Sequence, residues 1–117
     1  MPESKKHELK FIGSALKDLQ QFPQKVKRQI GFDLDMVQGG ETPNTAKHLR
    51  GLPGVMELVE RYDSDTYRAV YITNIDEIIY VLHCFKKKSK QGIKTPKEDI
   101  NLIRQRLQQA QKERNSN

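Results

Sequence analysis

At 117 residues the chain has room for one domain with a modest core, and with 35% apolar and 31% charged side chains and no tryptophan much of it must face water. No apolar run nears the roughly 20 residues of a membrane helix, so no membrane contact is expected. MPESKKHELK lacks an apolar signal core, which implies a cytoplasmic protein. A single cysteine, Cys84, excludes an intramolecular disulfide, and the net charge of +6 is uneven: +2 over residues 1–40, −3 over 41–82 and +7 over 83–117. A basic last third fits a polyanionic partner, or equally a solvated basic helix and tail.

In chain order, HELKFI (7–12) reads as a short strand with Leu9 and Phe11 on one face. Ser14 is placed to cap a helix carrying Leu16, Leu19 and Phe22. Pro23 suits the first turn of a second helix, with Val26, Ile30, Leu34 and Val37 as its buried stripe and Gly39-Gly40 as its stop. The two helices read as an antiparallel hairpin. TPNTAKHLRGLPG (42–54) is a connector rich in turn residues. Three strands follow, VMELVERY (55–62), TYRAVYIT (66–73) and EIIYVLHCF (77–85), and their short polar links suit an antiparallel meander. Thr95-Pro96-Lys97-Glu98 reads as a capping box opening a last helix with Ile100, Ile103, Leu107 and Ala110 on one stripe. The order β-α-α-β-β-β-α is an α+β fold: a small antiparallel sheet, an N-terminal helical hairpin and a C-terminal helix. One domain is expected over residues 1–113, with 114–117 fraying. Helices on one face would leave the other free to carry function.

Alternation along the last strand groups Tyr80, Leu82 and Cys84 on one face and Ile79, Val81, His83 and Phe85 on the other, with Lys86 and Lys87 continuing it. In the first meander strand Glu57, Val59 and Arg61 share a face, and Arg68 sits among Tyr67, Ala69 and Tyr71 in the middle one. An arginine in such a strand is either a rim residue with a packed stem or an anion ligand with a fixed fork. Each signal also has a plain reading. A lone histidine at a strand end is more often structural than catalytic, three lysines in a row are usually solvated, and Cys84 suits a small apolar position. His7 and His48 have no partner at metal-ligand spacing, and no phosphate loop or nucleophile elbow occurs, so no metal or cofactor is expected.

Four stretches together resemble the RelE/ParE toxin superfamily, and most of all its phage-derived, HigB-like branch in type II toxin–antitoxin systems. They are KHLRGLPGVMEL, YRAVY, LHCFKKKS and KTPKEDINLIRQRL, in this order over residues 47–107. The resemblance implies a RelE-like fold and a toxin held by a cognate antitoxin, often a small helix-turn-helix protein. It also implies a ribosome-dependent, metal-independent mRNA endonuclease, or mRNA interferase, that inhibits translation. The alternatives it leaves are a non-enzymatic inhibitor of a protein target such as DNA gyrase, and an inactive relative that only binds an antitoxin. Carried over by position, Arg68 matches an arginine that contacts the scissile phosphate, Lys87 a basic residue that stabilises the transition state, and His83 a histidine suited to acid or base work. Lys86, Lys88, Lys47, Arg61 and Tyr71 are the implied RNA-binding residues. The chain departs from the ribosome-dependent prototype at Glu57 and Val59, where that protein has lysines, and in lacking a C-terminal aromatic.

Overall fold

The computed structural model describes residues 6–88 and 95–115. Its elements are β1 (Glu8–Phe11), α1 (Ala15–Gln20), α2 (Gln24–Gln38), β2 (Ala46–His48), β3 (Val55–Tyr62), β4 (Asp65–Ile75), β5 (Ile78–Lys88) and α3 (Lys97–Asn115). The sheet runs β1-β5-β4-β3-β2. Strands β3 to β5 pair antiparallel, as expected of the meander; β2 pairs antiparallel with β3, and β1 adds to β5 in parallel and makes the sheet mixed. The connector contributes β2, a strand not expected from sequence. Its three residues, AKH, are too few to show alternation, and turn residues flank them on both sides.

Local chemistry explains most boundaries. The α2 stripe of Val26, Ile30, Leu34 and Val37 is buried at helical spacing. Gly40 then takes φ +87°, and the N–H groups of Gly40 and Glu41 donate to the carbonyls of Val37 and Met36. This is the paired C-terminal bonding of a Schellman stop, which needs a residue without a Cβ at the left-handed position. Two-residue turns join the meander. Asp63 and Ser64 (φ 52° and 73°), then Asp76 and Glu77 (φ 47° and 60°), take the double left-handed form that matches strand twist.

Both expected side-chain caps fail. Ser14 Oγ donates to the Asp18 carboxylate at 2.8 Å rather than capping the backbone of α1. Helix α3 opens on the Pro96 carbonyl, which accepts from the Ile100 N–H. With proline in the cap place, Thr95 stands one residue too far out, and the reciprocal bonds with Glu98 do not form. The helix continues through Asn115, two residues into the stretch expected to fray, and residues 116 and 117 lie outside the described residues.

The free sheet face is the main correction. Helices α1 and α2 cover one face, packing on Leu58, Tyr67, Ala69, Tyr71, Ile79, Val81 and Cys84. Helix α3 lies on the opposite face, where Ile103 and Ala110 bury against Val70, Ile72, Tyr80 and Leu82. An amphipathic α3 must bury its stripe, and the hairpin already fills the first face. Helix α3 thus roofs the part of the second face nearest the start of β5.

Candidate active site

A β-bulge sets which side chains reach this second face. Val70 pairs with His83 but Tyr71 pairs with Val81, so β5 carries one extra residue, Leu82, opposite β4. Leu82 and His83 then point to the same side, toward α3. Uninterrupted alternation groups Leu82 with Cys84 and apart from His83. The bulge instead puts Ile79, Val81 and Cys84 under the hairpin and Tyr80, Leu82, His83 and Phe85 on the α3 side.

Beyond the bulge the register builds three cross-strand rows on the α3 face. The first is Glu57, Val70 and His83; the second is Val59, Arg68 and Phe85; the third is Arg61, Thr66 and Lys87. Neighbouring strands lie about 4.8 Å apart, so Glu57 and His83 stand roughly 10 Å apart across Val70, and Arg68 lies on the central strand in the next row. Lys47 of β2 pairs in register with Glu57 and extends the first row to the sheet edge.

Arg68 Nη1 forms an ion pair and hydrogen bond with Glu57 Oε1. Lys87 is 1% exposed, and its ammonium lies within the electrostatic reach of both. Burial, and secondarily the Arg68 guanidinium, push the Lys87 pKa down, while Glu57 opposes the shift. Burial likewise pushes the Glu57 carboxyl up, against the opposing pull of Arg68, Lys47 and Lys87. On the other side of the centre the His83 ring stacks on Phe85, with centroids 4.8 Å apart and planes at 14°. Its Nε2 lies 2.7 Å from Asp99 Oδ1 of α3, at hydrogen-bond distance.

Four buried side-chain atoms in the described residues lack a hydrogen-bond partner: Glu57 Oε2, Arg68 Nε, His83 Nδ1 and Lys87 Nζ. All belong to the three rows. An unsatisfied buried polar atom costs about 1–3 kcal/mol, more when charged, so a domain of this size does not gather four in one place for stability. The arrangement can grip an oxyanion between Arg68 and Lys87, with proton-exchanging groups on either side of it.

His83, Lys87 and Arg68 are therefore brought together, with Lys47 and Arg61 on the same face at its exposed margin. Two residues expected to bind RNA are not there. Tyr71 is 2% exposed and packs under the hairpin on the opposite face, where burial pushes its hydroxyl up to about 12. Lys86, one residue out of phase with Lys87, also points to that side and faces Asp65 at 3.8 Å. Lys88 pairs with Asp65 through the strand, and its side chain lies outside the described residues.

Glu57 and Asp99 were missed as site residues. A carboxylate alternating with Val55 and Val59 on one strand face was a readable signal for Glu57. Nothing in sequence signals Asp99, which meets His83 only because α3 crosses this face. Among the described residues no group of three or more histidine, cysteine or acidic side chains is spaced to hold a metal, and no helix is long and apolar enough to cross a membrane.

Residues 17–108 match the family of phage-derived Gp49-like proteins. No curated protein gives a significant match. Among solved structures, the fold is similar to that of the Escherichia coli toxin RelE, an arginine-to-alanine mutant in the free state. The TM-score is 0.61 at 19% identity, over 87% of this chain and 98% of that one. It is also similar to a chain of the RelBE2 toxin–antitoxin complex of Mycobacterium tuberculosis, with a TM-score of 0.50 at 18% identity, over 76% of this chain and 99% of that one. At these identities the structural likeness speaks for the fold.

Proposed function

The chain belongs to the phage-derived Gp49-like family and has the RelE-type fold, and from that premise we propose that it is the toxin of a toxin–antitoxin pair that cuts ribosome-bound mRNA. One observation carries the step from fold to chemistry: the four unpartnered buried atoms converge on one patch of the sheet. A ligand that supplies acceptors to Arg68 and Lys87 and a hydroxyl to their flanks completes the site, and an RNA phosphate with its ribose offers both.

In the proposed reaction the ribose 2′-oxygen attacks the neighbouring phosphorus, and the bond from phosphorus to the 5′-oxygen breaks. The 2′-hydroxyl proton passes to a base, and an acid protonates the leaving oxygen, giving a 2′,3′-cyclic phosphate and a 5′-hydroxyl end. RNA supplies the nucleophile, so an inert Cys84, its thiol pushed up to about 12 by burial, is no obstacle. Arg68 and Lys87 face the charge that grows on the non-bridging oxygens. Its depressed pKa marks Lys87 as a cation short of partners, the condition under which an incoming phosphorane is stabilised most. Glu57 and His83, in line across the first row, serve as the proton-exchanging pair. Glu57 stands where the ribosome-dependent prototype has lysines, and its carboxylate takes over a proton-accepting task for which a buried carboxyl with a raised pKa is suited. Lys47 and Arg61 bind flanking phosphates from the rim.

The likeness to a chain of a toxin–antitoxin complex supports an antitoxin as partner, and a small helix-turn-helix protein is the form proposed. The test is induction in growing bacteria of the wild type, His83→Ala and Lys87→Ala, with transcript 5′ ends mapped. New codon-phased ends lost in both variants support the reading. Growth arrest with intact mRNA would instead point to inhibition of a protein target such as gyrase.

A further inference from the structure

His83 is held through one nitrogen only. Nε2 lies 2.7 Å from Asp99 Oδ1, while Nδ1 is buried and bonds nothing. An ionised carboxylate accepts and never donates, so the proton between them belongs to Nε2. The neutral ring is then the Nε2–H tautomer with its lone pair on Nδ1. Stacking on Phe85 fixes the ring plane, and the bond to α3 fixes its rotation about that stack.

The pair is not an ordinary surface contact. The His83 side chain is 8% exposed and that of Asp99 25%, and the bond ties β5 to the first turn of α3. The middle of α3 is anchored as well, by Arg106, whose Nη1 donates to the Leu82 carbonyl at 2.9 Å and whose Nη2 donates to Ser14 Oγ at 3.0 Å. Helix α3 is thus clamped to the bulge itself, at the residue that turns His83 toward the site.

We propose that Asp99 is a positioning residue of the RNA-cleaving site, holding His83 by Nε2 so that Nδ1 is the one ring atom able to exchange a proton with the RNA. This rests on the reading of the site as an RNA endonuclease. As a base, Nδ1 takes the 2′-hydroxyl proton and Asp99 stabilises the resulting imidazolium; as an acid, with Glu57 taking the 2′-hydroxyl proton, the ring starts as that imidazolium and Nδ1 gives its proton to the 5′-oxygen. In either role Asp99 keeps its charge and transfers nothing. Replacing the carboxylate by an amide lets the side chain donate to Nε2, which moves the ring proton to Nδ1 and removes the lone pair from the site.

The test is long-range proton–nitrogen correlation NMR on the ¹⁵N-labelled chain, at a pH where free imidazole is neutral, with His83→Ala identifying the signals among the three histidines. The expected wild-type pattern is a pyrrole-like Nε2 and a pyridine-like Nδ1. In Asp99→Asn this preference is lost or reversed, and cleavage of ribosome-bound mRNA falls by about a hundredfold or more. Asp99→Glu, which keeps the acceptor, recovers both in part. A wild-type Nδ1–H tautomer, or an Asp99→Asn protein with unchanged tautomer and cleavage, would overturn the assignment. If the wild type cleaves no mRNA, the endonuclease reading fails by itself, and the spectra still decide whether Asp99 sets the His83 tautomer.

Discussion

Replacing Lys87 by methionine separates stability from activity. Lys87 is 1% exposed and its Nζ has no hydrogen-bond partner, so folding strips an ammonium of water and returns only the distant pull of Glu57 against the push of Arg68. Methionine keeps an unbranched chain of similar length and removes the orphan donor, at a gain of about 1–3 kcal/mol. For a chain of this size that raises Tm by roughly 4–12 °C. The sign with pH follows from the depressed pKa of Lys87. Between that value and the ordinary 10.5 the unfolded chain binds more protons than the folded one, so wild-type stability from this group rises with pH. The advantage of Lys87→Met therefore narrows as pH rises. Cleavage moves the other way, falling by about a hundredfold or more as one stabiliser of the developing charge is lost. Urea unfolding at several pH values, beside cleavage in a translation extract, measures both. A variant destabilised by 1 kcal/mol or more, with cleavage intact, would mean that Lys87 is structural.

Arg68→Ala leaves Glu57 buried without its guanidinium, and stability falls by about 3–5 kcal/mol, while Arg68→Ala with Glu57→Gln recovers part of that loss. The raised pKa of Glu57 contributes stability that is fully present below its ordinary value of 4.5 and lost as pH rises through the folded one; Glu57→Gln therefore gains on the wild type as pH rises above that ordinary value in urea titrations. Cys84, buried and with its thiol pushed up to about 12, resists iodoacetamide in the folded chain and reacts on unfolding, as mass spectrometry will show. Lys47→Ala and Arg61→Ala leave Tm within experimental scatter but weaken RNA binding, each reducing the salt slope by about one.

The fold was legible wherever one segment carries its own signal. The α2 stripe with its double-glycine stop, the three meander strands and the apolar line of α3 were all readable. What escaped depends on contacts between segments. Nothing within ELKF states that it pairs in parallel with β5, and AKH is a strand only because β3 offers it an edge. The same holds for the site. His83, Lys87 and Arg68 were found through the resemblance, and strand alternation placed Glu57 with Arg61. Tyr71 and Lys86 were misplaced for related reasons. Adjacent residues on a strand face opposite ways, so Lys86 cannot accompany Lys87, and Tyr71 lies an odd step from Arg68. The bulge at Leu82 and the reach of Asp99 across the sheet are tertiary facts.

The chemistry of the cut ends tests the central claim most directly. Purified protein is added to ribosomes programmed with a defined mRNA, and the new termini are identified by end-labelling. The proposed mechanism predicts cuts within the message, each leaving a 2′,3′-cyclic phosphate and a 5′-hydroxyl, absent with Lys87→Met. Translation arrested on uncut mRNA, or 5′-phosphate ends, would contradict it.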